Sequence, residues 1–207
     1  GGLGLIGSGS MTPELLREHI RKCRAVTQKP FGVNVPLMYR EAEGIMRVIL
    51  EEQVKIVFTS AGNPATWTSC LKEAGAVVVH VVSNTKFALK AEAAGVDAVV
   101  AEGFEAGGHN GKEETTTLVL APLVAAAVKI PVIVAGGIAS GDAMAAAFAL
   151  GGEGVQVGSR FALSSESSGH EAFKKRSVAL AEGGTMLCLK ALGPVRLIKN
   201  AVYERLS

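Results

Sequence analysis

The sequence predicts an α/β fold of the (β/α)8 TIM-barrel class with its first βα unit absent, and three observations carry that reading. Seven short runs rich in Val, Ile and Ala punctuate the chain, the composition of strands buried on both faces of a parallel sheet. Amphipathic stretches with helix-start signals lie between them. The runs also recur regularly: starts at 31, 55, 76 and 97 lie 24, 21 and 21 residues apart, the next interval, to 131, is 34, and the last, to 154, is 23. A barrel of this class commonly takes about 250 residues, so seven visible runs in 207 residues fit a barrel lacking one unit. A doubly wound open sheet is the competing arrangement. Residues 1–207 are expected to form one domain, incomplete at the N-terminus and also at the C-terminus.

The first run is 3–6, and Thr12-Pro13-Glu14 then starts a helix with a capping side chain and Pro at its first position. Leu16, Ile20, Cys23 and Val26 fall on one stripe of that helix, with Arg17, Glu18, Arg21 and Lys22 facing outward. The second run, 31–37 (FGVNVPL), is interrupted by the polar Asn34. After the third, 55–60 (KIVFTS), Asn63-Pro64 opens a helix on which Trp67 and Cys70 are read as packing residues. The fourth, 76–82 (AVVVHVV), places His80 among valines, as a hydrogen-bonded core or lining residue. The fifth, 97–101 (DAVVA), leads to Glu102 and then to about ten extra residues around Gly107, Gly108 and His109. An enlarged loop at a strand's C-terminal end is where barrels build their active sites. The sixth and seventh, 131–135 (PVIVA) and 154–158 (GVQVG), are separated by a helix opening at Ser140-Gly-Asp.

Composition narrows the classes. Hydrophobic residues make up 48% and charged residues 19%, below the roughly 25% of an average soluble domain, so the chain folds. No run of about 18 apolar residues occurs, which argues against a membrane span. Net charge is +2, basic residues are scattered and aromatics are 5%, so no nucleic-acid surface is expected. Cys23, Cys70 and Cys188 form no CxxC pair, so neither a disulfide framework nor a metal site is expected, and a reducing cytoplasm fits. No secretory signal is visible.

Ala135-Gly136-Gly137-Ile138 ends one strand and Gln156-Val157-Gly158-Ser159 the next. Glycines let the backbone approach a phosphate, and amides of tight turns and helix N-termini point at the anion. If the first strand is missing, these turns follow barrel strands seven and eight, where many barrels hold phosphate. The opening Gly2-x-Gly4-x-x-Gly7 is formally a dinucleotide fingerprint, but no helix begins until Thr12, so it is set aside. Of the four histidines, His19 and His170 read as solvated, whereas His109 stands among glycines where an imidazole can reach a ligand. Asn34 and Glu102 are polar groups at strand positions and need partners if buried. Arg196 and Lys199 read as a solvated helix face open to an acidic partner.

At Glu102-Gly-Phe-Glu-Ala-Gly-Gly-His109-Asn-Gly111, Ala135-Gly136-Gly137 and Gln156-Val157-Gly158-Ser159, the sequence resembles the FMN-dependent nitronate monooxygenase superfamily. Lys29-Pro-Phe-Gly-Val-Asn-Val-Pro-Leu37, Thr59-Ser-Ala-Gly-Asn-Pro64 and Arg196-Leu-Ile-Lys-Asn200 extend the likeness over nearly the whole chain and look most like its enoyl-acyl-carrier-protein reductase II (FabK) branch. The resemblance implies an FMN-containing TIM barrel in which Asn34, Glu102, Gly107 and Gly108 contact the flavin. Gly136, Gly137, Gln156, Val157, Gly158 and Ser159 would hold its ribityl phosphate, and His109 would be the catalytic histidine. Many relatives carry Gln where this chain has Glu102 and Thr where it has Ser159.

The activity so implied is reduction of trans-2-enoyl-acyl carrier protein in fatty acid synthesis, NADH or NADPH reducing FMN, with His109 polarising the thioester carbonyl or supplying the proton. The alternative is oxidation of alkyl nitronates with FMN and O2. A flavin-free barrel binding a phosphorylated metabolite leaves Asn34, Glu102 and the Gly-Gly-His loop without a shared ligand, and a non-catalytic scaffold leaves the enlarged loop unexplained. A homodimer is expected by resemblance.

Overall fold

In the computed structural model, residues 2–201 and Arg205 are described. The chain divides into two compact units, Gly1–Val81 with Leu89–Val99, and Val82–Ala88 with Val100–Ser207. The first unit runs through β1 (Gly4–Gly7), α1 (Pro13–Val26), β2 (Phe31–Pro36), α2 (Ala42–Glu51), β3 (Ile56–Ser60), a short 3-10 turn (Pro64–Thr66), α3 (Thr68–Glu73) and β4 (Val77–Val82). Val82 at the end of β4 belongs to the second unit, and both α4 (Thr85–Ala93) and β5 (Ala98–Glu102) contribute to the two units. The second unit continues through β6 (Gly108–His109), α5 (Thr117–Ala127), β7 (Val132–Ala135), α6 (Gly141–Ala149), β8 (Gly154–Gln156), α7 (Ser159–Ala162), α8 (Glu171–Val178), β9 (Thr185–Cys188) and β10 (Val195–Ile198).

All seven predicted runs are strands of one sheet, in the order β1-β2-β3-β4-β5-β7-β8. The β1–β2, β2–β3, β3–β4 and β7–β8 pairs are parallel, and strand order follows chain order. A doubly wound sheet reverses its order partway; this one does not. Strands β6, β10 and β9 form a separate three-stranded sheet in that order, which the sequence pattern does not predict.

In the first unit, α1 forms as its signals dictate. The Thr12 side chain accepts from Leu15 N, Pro13 opens the helix, and Glu14 and Arg24 complement its dipole. Leu16 and Ile20 are fully buried, but Cys23 is half-buried and Val26 is 84% exposed, so the apolar stripe stops short of the helix end. Arg17 and Arg21 are not simply solvated: with Arg24 they converge on the carboxylate of Glu52, just past α2, at 2.9–3.2 Å. Cys70, expected to pack, is exposed on α3, while Trp67 is half-buried at its start.

His80 on β4 is buried as expected, its Nδ1 2.7 Å from the Thr59 hydroxyl on β3. Burial, with the nearby positive charge of Lys90, pushes the imidazole down to about 4 from 6.5. The unfolded chain therefore binds a proton between those values while the native chain does not, so this residue's stabilising contribution is present above pH 6.5 and is lost as pH falls toward 4. Acidification from pH 7.5 to 5 is expected to lower unfolding free energy through His80 by about 2 kcal/mol. Urea titrations of wild type and His80→Gln at the two pH values check this, the variant lacking that contribution.

Candidate functional site

The chemistry suggested by sequence gathers in the second unit, where β5, β7 and β8 end. Glu102 is the last residue of β5 and is half-buried. Its carboxyl has no hydrogen-bond partner among the described residues, and burial pushes it up to about 7. Next in the chain, Gly103 N donates to Ala135 O of β7 at 2.9 Å. A side chain on Gly103 would overlap Thr117 at the start of α5, and a methyl on Gly136 would stand 2.7 Å from both Gly103 O and Thr117 Oγ1. Gly136 also has φ +99°, so both close approach and backbone require glycine there.

Gly136 is buried in this packing, whereas Gly137, with φ +71°, is exposed. A methyl on Gly137 would meet Glu105 Cβ at 3.3 Å, and one on Gly107 would meet Ser159 Oγ at 3.3 Å. The segments 105–108, 136–140 and 156–160 thus lie together. Arg160, which that reading did not single out, ties two of them: Nη1 donates to Ala139 O, between the Gly136-Gly137 turn and α6, at 3.1 Å. The predicted last strand stops at Gln156, so Val157 and Gly158 form the turn into α7, at whose first residue Ser159 stands. Nothing lies within 4 Å of where a Cβ would stand on Gly108, Gly141 or Gly158.

His109 lies on β6, exposed, with its backbone fixed by a neighbouring strand. Val195 of β10 pairs with His109 and Arg196 with Gly108 in antiparallel register, and Asn110 N donates to Pro194 O at 2.8 Å. Arg196 is therefore a strand residue, which corrects the helix-face expectation. Its Nε and Nη2 donate to Phe104 O at 3.1 and 2.8 Å, and the guanidinium stands 5.1 Å from the centre of the Phe104 ring. Lys199, just beyond β10, is exposed. The Asn110 side chain closes the turn, its Nδ2 donating to Ala106 O at 2.8 Å and Gly108 O at 3.0 Å, and its Oδ1 is buried with no partner. His170 is exposed but not idle, accepting from Ala172 N as the cap of α8. Asn34, on β2, belongs to the first unit, where its carbonyl accepts from Ser8 N and Oγ at 3.1 and 2.7 Å.

A phosphomonoester needs several N–H donors and a cation. The 136–141 and 156–160 turns offer backbone amides at two helix starts with Arg160 between them, so these residues fit a phosphorylated cofactor. The unpartnered Asn110 Oδ1 and Glu102 carboxyl fit a ligand that brings its own donors. Among the described residues no group of three or more His, Cys, Asp or Glu could hold a metal ion, and no helix is long and apolar enough to cross a membrane.

The family described as Nitronate monooxygenase matches residues 1–45 and 36–207. A 5-hydroxy-7a-methyl-1-oxo-octahydro-1H-indene-4-carboxyl-CoA dehydrogenase of Mycobacterium tuberculosis is 38% identical over 100% of this chain and 59% of its own length. A nitronate monooxygenase of Paraburkholderia phytofirmans is 34% identical over 84% of this chain and 60% of its own. The chain thus spans about three fifths of these relatives' length. Among solved structures, FabK from Thermotoga maritima superposes with TM-score 0.94 at 46% identity, covering 99% of this chain and 66% of that one. A nitroalkane oxidase from Streptomyces ansochromogenes gives 0.87 at 29%, covering 97% and 70%.

Glu102 titrates in the opposite sense to His80. Its folded-state value, raised to about 7, exceeds the ordinary 4.5, so the native chain holds a proton that the unfolded chain releases between those values. The contribution from proton uptake is present below pH 4.5 and is lost as pH rises through 7. Glu102→Gln is expected to raise unfolding free energy at pH 8, relative to wild type, by on the order of 2–3 kcal/mol, and the gain shrinks as pH falls to 5. Denaturant midpoints of the two proteins across this range check it.

Proposed function

The chain belongs to the nitronate monooxygenase family, and from that premise we propose that it is the body of an FMN-dependent oxidoreductase that reduces trans-2-enoyl-acyl carrier protein with NADH or NADPH. The observation that carries this is the convergence of the His109 loop with two glycine turns suited to a phosphate. The 46% identity to Thermotoga maritima FabK favours the reductase. Likeness to a carboxyl-CoA dehydrogenase agrees with a substrate carried as an acyl thioester. We take residues 1–207 as one FMN-binding domain of a (β/α)8 barrel, working in the cytoplasm as a homodimer.

Gly136, Gly137, Gln156, Val157, Gly158 and Ser159 would hold the ribityl phosphate, with Asn34, Glu102, Gly107 and Gly108 along the ring. Bound FMN supplies hydride-transfer chemistry. The protein's part is placement and proton handling. His109, fixed by β10, presents its imidazole from the glycine loop, where it donates to the thioester carbonyl oxygen or delivers the proton that Cα requires. Glu102, whose carboxyl burial pushes up to about 7, stands where many relatives use Gln and can donate or accept a hydrogen bond toward the ring.

Nitronate monooxygenase activity is the second reading, favoured by the 34% identical Paraburkholderia phytofirmans enzyme. There the substrate is a small alkyl nitronate, O2 is the oxidant, no nicotinamide is needed, and His109 is a base or an orienting group.

Anaerobic stopped-flow absorbance of the full-length, FMN-loaded protein separates the two. The expected result is rapid bleaching of the flavin by NADH or NADPH, reversed by crotonyl thioester. Bleaching by a nitronate alone would instead establish the second reading. His109→Ala is expected to retain FMN and lose about 10²- to 10⁴-fold in turnover, the range of a general acid–base contribution; loss of FMN together with activity would make the residue structural.

A further inference from the structure

The first turn of α5 lacks a local cap. Thr116 at the N-cap makes no side-chain hydrogen bond, and the first turn contains no acidic residue. The missing acceptor comes from twelve residues upstream: Glu105 Oε1 and Oε2 accept from Thr117 N at 3.1 and 2.9 Å, and Oε2 lies 2.9 Å from the Thr117 hydroxyl. That hydroxyl also reaches Gly136 O at 2.8 Å and Ala135 O at 3.3 Å. Thr117 is 8% exposed, so a lost acceptor there is not readily replaced by bulk water. The Glu105 stem completes the contact, with Cβ and Cγ 3.3 and 3.7 Å from where a methyl on Gly137 would stand.

We infer that Glu105 is a positioning residue: its carboxylate, clasped on the start of α5 and packed under Gly137, holds the His109 loop and the Gly136-Gly137 turn in one fixed relation. A charged acceptor at a helix N-terminus is favourable both to the exposed N–H groups and to the helix dipole. Here the capping side chain belongs to the functional loop itself. The preceding residue is fixed independently, since Phe104 N donates to Thr115 O at 2.9 Å and Phe104 O accepts from Arg196. Ala106 N donates to Gly103 O at 3.1 Å, closing the backbone around Glu105. Displacing Glu105 leaves those backbone bonds in place but removes the side-chain link from the loop to the start of α5 and opens the space beside Gly137. A ligand bridging loop and turn loses its preorganised seat. The consequence for FMN rests on the flavin reading above, whereas the clasp itself does not.

The test pairs Glu105→Ala with Glu105→Gln, which keeps one acceptor for Thr117 N but loses the charge. Hydrogen exchange is measured on the FMN-free full-length proteins, and FMN affinity by quenching of flavin fluorescence. The expected result for Glu105→Ala is faster exchange at amides in both 104–110 and 136–138, with FMN bound at least tenfold more weakly, and for Glu105→Gln a smaller change in the same segments. Faster exchange confined to 117–120, with FMN affinity within twofold of wild type, would reduce Glu105 to an ordinary helix cap and overturn the inference. If Glu105→Ala does not fold, Glu105→Gln decides by the same two readouts. Wild-type protein that binds no FMN would contradict the flavin reading, and exchange in the two segments would still decide the role of Glu105.

Discussion

The close approach of Gly103, Gly136 and Thr117 is the constraint on which the candidate site depends. The ends of β5 and β7 and the start of α5 come together there with no room for a side chain on either glycine. Because the interior is close-packed, a methyl at Gly136 would have to displace the Gly103 backbone as well as the Thr117 hydroxyl. Everything functional in the second unit hangs from this contact. The Gly107–His109 loop leaves from Gly103, the Gly136-Gly137 turn is itself one wall, and α5 supplies the hydroxyl that reaches both. Arg160 then joins the last turn to the second through Ala139 O.

The loop is held by polar contacts of quite different strength. A β10 strand fixes the backbone of Gly108 and His109, a guanidinium fixes the Phe104 carbonyl, and a carboxylate fixes the first amide of α5. Charge-assisted bonds of this kind exceed neutral ones and leave a costly unpaired group if one partner is lost. Two titratable groups stand outside this pattern. His80 is buried neutral and Glu102 is a half-buried carboxyl with no partner among the described residues, and burial moves their values in opposite directions. Only the second lies at the strand ends beside the converging turns. A core histidine satisfied by Thr59 is an ordinary solution to burial, whereas a carboxyl left without a donor is a group waiting for something else to bind it.

Much of the fold was legible in the sequence because a parallel sheet writes itself in runs such as AVVVHVV and PVIVA, and because capping residues such as Thr12 and Ser140 announce helix starts, whereas Asn63 opens only the 3-10 turn ahead of α3. The β9–β10 hairpin was not legible. Four residues, Val195-Arg-Leu-Ile, are too few to separate period 2 from period 3.6, and an arginine within them reads as solvent-facing until its partner is known. Gly193-Pro194 just before them was the available signal, a break that suits a turn better than a helix interior. At the site, glycine turns and the loop histidine were readable because each is a local pattern. Glu105, Thr117 and Arg160 were not, since a cap supplied from twelve residues away and a side chain bridging two turns are long-range facts that no local pattern encodes.

We propose that the converging turns hold the phosphate of a flavin mononucleotide, and comparing FMN with riboflavin isolates the contribution of that phosphate. The two ligands share the ring and ribityl chain and differ only in the phosphate. Titration of the full-length protein with each, read by flavin fluorescence, is predicted to show FMN binding at least tenfold more tightly, since even one hydrogen bond to a charged group contributes about 1.5–3 kcal/mol. Equal affinity for the two, or no binding of either, would contradict the account.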